Sequence, residues 1–210
     1  EGVVASAFGF SGQKCSACSR AIVEAACYDE FLERLTRRVR GLVVGDPAER
    51  ATVVGPVVNE KALSKIVDYV EIGRGEGRLV AGGRRLPSEG FYLEPTVIAD
   101  VRRSARVMQE EIFGPVLAVA RAADFGEALA IANDTEYGLT GSVYSGDPNK
   151  LTVAAERFFV GNLYLNRKCT GALVGGHPFG GFNMSGTDSK AGGPDYLGLF
   201  LQAQTISEKR

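Results

Sequence analysis

A short β-rich run, Val116-Leu-Ala-Val-Ala120, precedes the helical pattern Phe125-Gly-Glu-Ala-Leu-Ala-Ile-Ala-Asn133, and a second β-rich run, Gly141-Ser-Val-Tyr144, follows it. Lys150–Phe158 then repeats the helical pattern, and Gly161–Leu165 repeats the strand pattern. Strands and helices that alternate in this way are typical of layered α/β domains, in which connecting helices cover the sheet. The sequence therefore predicts an α/β fold with a largely parallel sheet.

The alternation extends toward the N-terminus. Tyr28–Arg40 has apolar residues at helical spacing and ends at Gly41, and Asn59 is a suitable N-cap for a second helix. The run Arg20–Ala26 fits either a helix or a buried strand, and we predict a strand. Two further β-rich runs are Leu79–Ala81 and Tyr92–Ile98.

Composition limits the classes of protein to which the chain can belong. Its 210 residues are 45% hydrophobic, which suits one main domain, assigned to residues 1–197, and a short tail, residues 198–210. The net charge of −1 gives no bulk attraction for nucleic acid or anionic membranes. Without a signal-like start or an apolar stretch of roughly 20 residues, we expect a cytoplasmic protein. Because the chain begins at Glu1 with core-like residues, we expect it to continue a longer protein.

Histidine and cysteine content restricts the chemistry. His177 is the single histidine, which excludes metal sites built on several imidazoles, and we predict no metal site. The four cysteines are expected to be reduced thiols: Cys15, Cys18, Cys27 and Cys169. Thiol or carboxylate chemistry is therefore expected.

The strongest chemical signal is Phe8-Gly-Phe-Ser-Gly-Gln-Lys-Cys15-Ser-Ala-Cys18. Glycine turns can direct backbone N–H groups at Cys15, and Lys14 adds positive potential, so both features favour a nucleophilic thiolate. Two alternatives remain open at this point. Cys15 could be a structural cysteine, or it could form a redox pair with Cys18.

Two further segments suggest a binding cleft. Glu110 and Glu111 are adjacent carboxylates that point in different directions before the rigid turn at Phe113-Gly-Pro, so one acid can face a cleft. The long glycine-rich segment 167–186 exposes backbone N–H groups that suit a carboxylate or phosphate. Phe179 and Phe182 could form its apolar wall.

Four segments in register resemble the aldehyde dehydrogenase superfamily along the whole chain. They are Gly12-Gln-Lys-Cys15, Glu110-Glu-Ile-Phe-Gly-Pro115, Asn133-Asp-Thr-Glu-Tyr-Gly-Leu139 and Pro178-Phe-Gly-Gly-Phe-Asn-Met-Ser-Gly186. Within the superfamily, residues 161–168, 170–172 and 186–197 are similar to the branch that oxidises L-glutamate γ-semialdehyde, the 1-pyrroline-5-carboxylate dehydrogenases of proline breakdown. The implied fold is the superfamily's three-layer α/β catalytic domain.

The resemblance also implies roles for single residues. Cys15 would attack the aldehyde, and NAD would take the hydride. Glu111 would bind the nicotinamide-side ribose, and Phe113 would pack at the nicotinamide end. The substrate's α-carboxylate would be held by Ser16 and by the backbone of Gly171 and Ala172. The path of the aldehyde would be lined by Phe179.

The resemblance has consequences for assembly and completeness. The tail is similar to the family's oligomerisation strand, which implies a homo-oligomer. Family members carry an NAD-binding domain and a general-base glutamate upstream of the segment that corresponds to Glu1, so we expect the isolated chain to be inactive. Two other functions remain: oxidation of a different aldehyde, or a non-catalytic binding domain with a structural Cys15.

Overall fold

The central sheet determines the architecture. The structure, a computed structural model, describes residues 1–87, 90–186 and 190–210. Within these ranges the sheet has four strands: β1 (Arg20–Glu24), β2 (Arg78–Ala81), β3 (Thr96–Ala99) and β4 (Val116–Ala122). They lie in the order β1-β4-β3-β2, with β1, β4 and β3 parallel and β2 antiparallel at the edge. The predicted largely parallel sheet is confirmed.

Helices and a second, smaller sheet surround these strands. The described helices are α1 (Gly2–Phe8), α2 (Ala25–Arg40), α3 (Glu60–Glu76), α4 (Arg106–Gln109), α5 (Phe125–Asn133) and α6 (Pro148–Arg157). Two short strands, β5 (Thr140–Val143) and β6 (Asn162–Leu165), pair in parallel. Among the described residues, none of the helices combines the length with the apolar composition that a membrane span requires.

Strand β4 separates two hydrophobic cores. Val116 and Ala118 face a core that contains residues of α3 and α5, whereas Leu117 and Val119 face a core that contains residues of α1 and α2. Successive side chains of a strand point to opposite faces of the sheet, so an uninterrupted apolar run is buried on both sides. Helices therefore cover both faces, and the expected three-layer α/β arrangement is present.

Most element boundaries follow local sequence signals. The side chain of Asn59 accepts a hydrogen bond from the Ala62 amide at 2.8 Å, which confirms the predicted N-cap of α3. A strand also occupies most of the Arg20–Ala26 run, as predicted. The run Tyr92–Ile98 was expected to be one strand, but β3 begins only at Thr96, after Pro95, which has no amide hydrogen for a ladder.

The C-terminal tail has a different character from the sheet. A 3₁₀ turn spans Tyr196–Phe200, and residues 201–210 form neither helix nor strand and are exposed. Several large apolar side chains in this part face solvent, including Phe200 and Leu201. The oligomerisation strand remains a prediction.

Candidate active site

The Cys15 loop, residues 9–18, has an unusual backbone. Phe10, Ser11 and Gly12 have φ values of 58°, 56° and 67°. Left-handed backbone at residues other than glycine costs free energy, so it persists where surrounding contacts enforce it. One such contact is visible, because the Ser11 hydroxyl donates to the carbonyl oxygen of Gly55 at 2.8 Å.

A second segment fixes the middle of the Cys15 loop. The side-chain oxygen of Gln13 accepts a hydrogen bond from the amide of Val58 at 2.8 Å. Ser11 and Gln13 therefore attach the loop to residues 55–58, directly before helix α3. The thiol-bearing residue follows at once, and Cys15 is exposed. The chain thus holds a free thiol at the surface, directly after residues that are anchored to the segment 55–58.

Gly12 joins this loop to the turn that carries Glu111 and Phe113. A Cβ atom at Gly12 would lie 2.2 Å from the carbonyl oxygen of Gly114, a distance that no larger residue tolerates. The two backbones approach so closely only because position 12 is glycine. Two of the predicted motifs, far apart in sequence, are neighbours in space.

The two adjacent acids of this turn have different environments. Glu110 accepts hydrogen bonds from Arg106 at 2.8 and 2.9 Å and from the Tyr69 hydroxyl at 2.6 Å. The Arg106 guanidinium, with the Tyr69 hydroxyl, lowers the pKa of Glu110 to about 2. Both oxygens of Glu110 are therefore engaged by Arg106 and Tyr69, so we interpret Glu110 as a structural residue of the turn.

Glu111 and Phe113 present their side chains outward. Both are exposed, whereas Ile112 between them is buried in the core. The backbone carbonyl of Glu111 accepts from Lys65 at 2.8 Å, which fixes the peptide but leaves the carboxylate at the surface. An exposed carboxylate beside an exposed aromatic ring suits a ribose hydroxyl and a flat ring of a nucleotide.

The carbonyl group of Ser16 connects the Cys15 loop to the glycine-rich loop. Its oxygen lies 3.4 Å from the Thr140 hydroxyl, which donates to it, and 3.5 Å from the Cys169 thiol. Cys169 directly precedes Thr170-Gly-Ala, so the predicted carboxylate-binding residues begin beside the residue that follows Cys15. The structure therefore brings Ser16 and the start of the glycine-rich loop together.

The carboxylate loop, residues 170–179, is held mainly at its ends. Gly171 has a φ of 97° and is exposed, and Ala172 is half-buried. At the far end, Phe179 pairs with Ala191 through two backbone hydrogen bonds of 2.8 and 2.9 Å. Phe179 is half-buried, and it lies at the opposite end of the carboxylate loop from the residues next to Ser16. Between the ends, Val174 is 87% exposed.

Two residues that the sequence did not indicate help to shape this region. The ammonium group of Lys190 donates to the carbonyl oxygens of Gly161 at 2.6 Å and Gly180 at 2.9 Å. The second residue is Cys169, because no spacing of residues in the sequence indicated its contact with Ser16. The only sequence signal for Lys190 was its place shortly after the glycine-rich segment. Thr187, Asp188 and Ser189, in the last branch-specific segment, lie outside the described residues.

Two open concave surfaces lie elsewhere on the molecule. One, of about 720 Å³, lies between α2 and β2, and the other, of about 570 Å³, lies along the outer edge of β2. Neither surface includes a predicted site residue. The candidate site is instead an exposed junction between the Cys15 loop, the Glu111–Phe113 turn and the carboxylate loop.

Comparison with known proteins identifies the family of the chain. A profile of the aldehyde dehydrogenase family matches residues 1–206. A 1-pyrroline-5-carboxylate dehydrogenase from Geobacillus kaustophilus is 62% identical over 208 residues, which are 99% of this chain and 40% of that protein. The chain therefore spans about 40% of the length of the curated relatives it matches.

Solved structures of related proteins have the same fold as this chain. A 1-pyrroline-5-carboxylate dehydrogenase from Thermus with bound NAD superposes with a TM-score of 0.93 at 56% identity, covering 96% of this chain and 39% of that one. Proline utilization A from Bdellovibrio bacteriovorus superposes with a TM-score of 0.92 at 46% identity, covering 96% of this chain and 21% of that one. On this evidence the chain belongs to the aldehyde dehydrogenase family.

Proposed function

We propose that this chain carries the nucleophile and the substrate-carboxylate anchor of an NAD-dependent dehydrogenase that oxidises L-glutamate γ-semialdehyde to L-glutamate. The observation that carries the proposal is the junction at Ser16: the residue that follows the exposed Cys15 contacts Cys169, the residue that precedes the carboxylate loop. The identity to 1-pyrroline-5-carboxylate dehydrogenases supports the choice of substrate.

The chemistry assigned to Cys15 is nucleophilic catalysis. Its sulfur adds to the aldehyde carbon, and the carbonyl oxygen takes up a proton to give a thiohemiacetal. Loss of hydride from that carbon and of the proton from its hydroxyl leaves a thioester. Water then adds, and the C–S bond breaks to release the carboxylate, the thiolate and two protons. An exposed sulfur on an anchored loop suits both the attack and the departure.

Glu111 and Phe113 are proposed to contact NAD. When bound, NAD would accept the hydride that leaves the substrate carbon. The exposed Glu111 carboxylate can accept hydrogen bonds from ribose hydroxyls, and the exposed ring of Phe113 can pack against a flat heterocycle. Glu110 is unsuited to either task because Arg106 and Tyr69 already occupy its oxygens.

The carboxylate anchor would orient the aldehyde. The Ser16 hydroxyl and the backbone amides of Gly171 and Ala172 are proposed to hold the α-carboxylate, while Phe179 lines the approach. Because the α-carboxylate and the aldehyde belong to one small substrate, fixing the carboxylate limits where the aldehyde carbon can lie relative to Cys15. Binding free energy is thereby converted into orientation of the reacting carbon.

The nucleophile is tested by substitution in the intact protein that carries this chain. We expect Cys15→Ser to abolish NAD-dependent oxidation of the semialdehyde, measured as NADH absorbance. Cys27→Ser is the matched control, because Cys27 is also exposed but lies in α2. Full activity of the Cys15→Ser protein would refute the proposal and favour a structural Cys15.

The substrate assignment is tested by comparing two aldehydes. We expect Ser16→Ala to raise the Michaelis constant for glutamate semialdehyde by about tenfold, the equivalent of one lost hydrogen bond to a charged group. The Michaelis constant for a simple aliphatic aldehyde should stay unchanged. Equal losses for both aldehydes would show that the enzyme acts on a different substrate.

The tail, residues 198–210, is proposed to pair with a second copy of the chain, and the protein is proposed to be cytoplasmic. Exposed apolar residues support the pairing, with Leu201 at 77% and Ile206 at 83% exposure. Four free thiols suit a reducing compartment. Deleting residues 201–210 should convert the oligomer to a monomer in sedimentation, and an unchanged mass would refute the pairing.

A further inference from the structure

The ammonium group of Lys190 lies between two carbonyl groups that belong to different segments. It donates to Gly161, directly before β6, at 2.6 Å and to Gly180, directly after Phe179, at 2.9 Å. A Cβ atom at Gly161 would overlap the Gly180 carbonyl oxygen, so the two backbones touch. Two carbonyl oxygens that face one point repel each other, and an ammonium group with three N–H donors offsets that repulsion. Lys190 therefore stabilises an approach that the two backbones alone would resist.

Phe179 lies between this contact and a second one. The side-chain amide of Asn162 donates to the carbonyl oxygen of Pro178 at 3.0 Å. Phe179 itself exchanges two backbone hydrogen bonds with Ala191. Groups from outside the carboxylate loop therefore hold three consecutive residues, 178–180, and the Phe179 peptide has little freedom to turn its ring.

The opposite end of the carboxylate loop is held less. Within the part of the chain that the structure describes, neither the Gly171 amide nor the Ala172 amide donates a hydrogen bond. The next residues bond within the loop, where the His177 amide donates to the Leu173 carbonyl oxygen at 2.7 Å. The loop thus has one end whose amides are available to a ligand and one end that is already fixed.

The segment Asn133–Leu139, a motif that the proposed function does not use, supports the fixed end. The Gly138 carbonyl oxygen accepts hydrogen bonds from the amides of Gly161 and Phe182, both at 2.9 Å. Gly161 is also one of the two acceptors of Lys190. The motif therefore holds in place the backbone against which the lysine fastens the end of the carboxylate loop.

We infer that Lys190 and Asn162 are positioning residues for Phe179, which they hold in the aldehyde path whether or not a carboxylate occupies the loop. The inference rests on the role proposed for Phe179. Because both contacts act on residues 178–180 and not on the amides of the carboxylate anchor, their loss should affect all aldehydes alike. Recognition of the α-carboxylate and guidance of the aldehyde are thereby assigned to opposite ends of one loop.

A double-mutant cycle in the intact protein tests whether Lys190 acts through Phe179. Lys190→Met keeps the length of the side chain and removes its donors and charge. We expect kcat/KM to fall by about tenfold for glutamate semialdehyde and for a simple aliphatic aldehyde, with the Michaelis constant for NAD unchanged. In a Phe179→Ala background the same substitution should cost no more than about twofold, because the ring that it positions is absent. A tenfold loss in both backgrounds would overturn the inference.

Limited proteolysis adds a measurement that needs no substrate. Chymotrypsin cleaves after aromatic residues and, more slowly, after leucine. We expect Lys190→Met to speed cleavage after Phe179 and to leave cleavage after Leu173 unchanged, as identified by mass spectrometry. Lys61→Met, at an exposed position of α3, is the matched control and should cleave like wild type. Equal cleavage after Phe179 in wild type and Lys190→Met would contradict the positioning role.

Asn162→Ala tests the second contact and carries the experiment if Lys190→Met does not fold. It should lower kcat/KM for both aldehydes by about threefold, the effect of one lost hydrogen bond between uncharged groups, and speed cleavage after Phe179. A loss confined to glutamate semialdehyde in either variant would overturn the inference, because it would place the residue in carboxylate recognition. If wild type oxidises only the aliphatic aldehyde, the substrate assignment fails instead, and the cycle is read on that aldehyde.

Discussion

The Cys15 loop and the carboxylate loop are held in different ways. The Cys15 loop is fixed along its length, through Ser11 and Gln13 on one side and the close approach of Gly12 to Gly114 on the other. The carboxylate loop is attached at its ends and, in its middle, by one hydrogen bond from the Gly175 amide to the Gly192 carbonyl oxygen at 2.7 Å, while Val174 is almost fully exposed. The proposed nucleophile is therefore positioned by the packing of this chain, whereas the proposed substrate anchor has freedom that a bound carboxylate would reduce.

The largest effect is expected where the packing is tightest. Gly12→Ala would place a methyl group against the Gly114 carbonyl in left-handed backbone, so we expect a loss of at least about 2 kcal/mol in the free energy of unfolding. Gly175→Ala is the matched control, with a φ of 83° but open space around it, and should cost only about 1 kcal/mol. Urea unfolding measures both, and equal losses would contradict the contrast between the loops.

A smaller effect is expected at the link between the loops. Thr140→Val removes a donor to the Ser16 carbonyl and should cost about 1 kcal/mol in urea unfolding. It should also slow alkylation of Cys15, because the Ser16 peptide that Thr140 contacts directly follows that residue. Thr152→Val, on exposed helix α6, is the control and should stay within about 0.5 kcal/mol of wild type. No change in Thr140→Val would mean that the junction does not couple the two loops.

The smallest effect is expected at Glu110, which supports the turn beneath the Cys15 loop. Its pKa is about 2 in the folded protein and 4.5 without its partners, so its contribution is present above pH 4.5 and is lost as the pH falls toward 2. In Glu110→Gln, the curve of unfolding midpoint against pH should be flatter between pH 4.5 and pH 2 than in wild type. The difference should be larger at low salt. Glu30→Gln, in an exposed pair with Arg34, should follow wild type. An unchanged slope in Glu110→Gln would refute the role of Arg106 and Tyr69.

The sequence was most informative where local rules determine structure. The apolar run that became β4 indicated a strand, and Asn59 marked the start of α3. The glycines and Lys14 around Cys15 identified the nucleophile loop, but its positive φ values depend on contacts with residues 55–58 and 114.

Long-range pairings could not be read from the sequence. Strand β2 is antiparallel to β3, and its direction depends on the path of the chain between α3 and β3. No residue spacing in the sequence indicates that path. The approach of Cys169 to Ser16 accompanies the pairing of β6 with β5, which aligns two distant segments. Resemblance to a family supplied the roles of Ser16, Gly171, Ala172 and Phe179, because their chemistry alone is not distinctive.

The most direct test of a single shared site is protection of Cys15 from alkylation. L-glutamate, the proposed product, should slow the reaction of iodoacetamide with Cys15 in the intact protein and leave Cys27 unaffected. Ala172→Leu, which crowds the carboxylate loop, should abolish that protection while Cys15 still reacts in the absence of glutamate. If glutamate protects wild type and Ala172→Leu equally, or protects neither, the Cys15 loop and the carboxylate loop do not form one site.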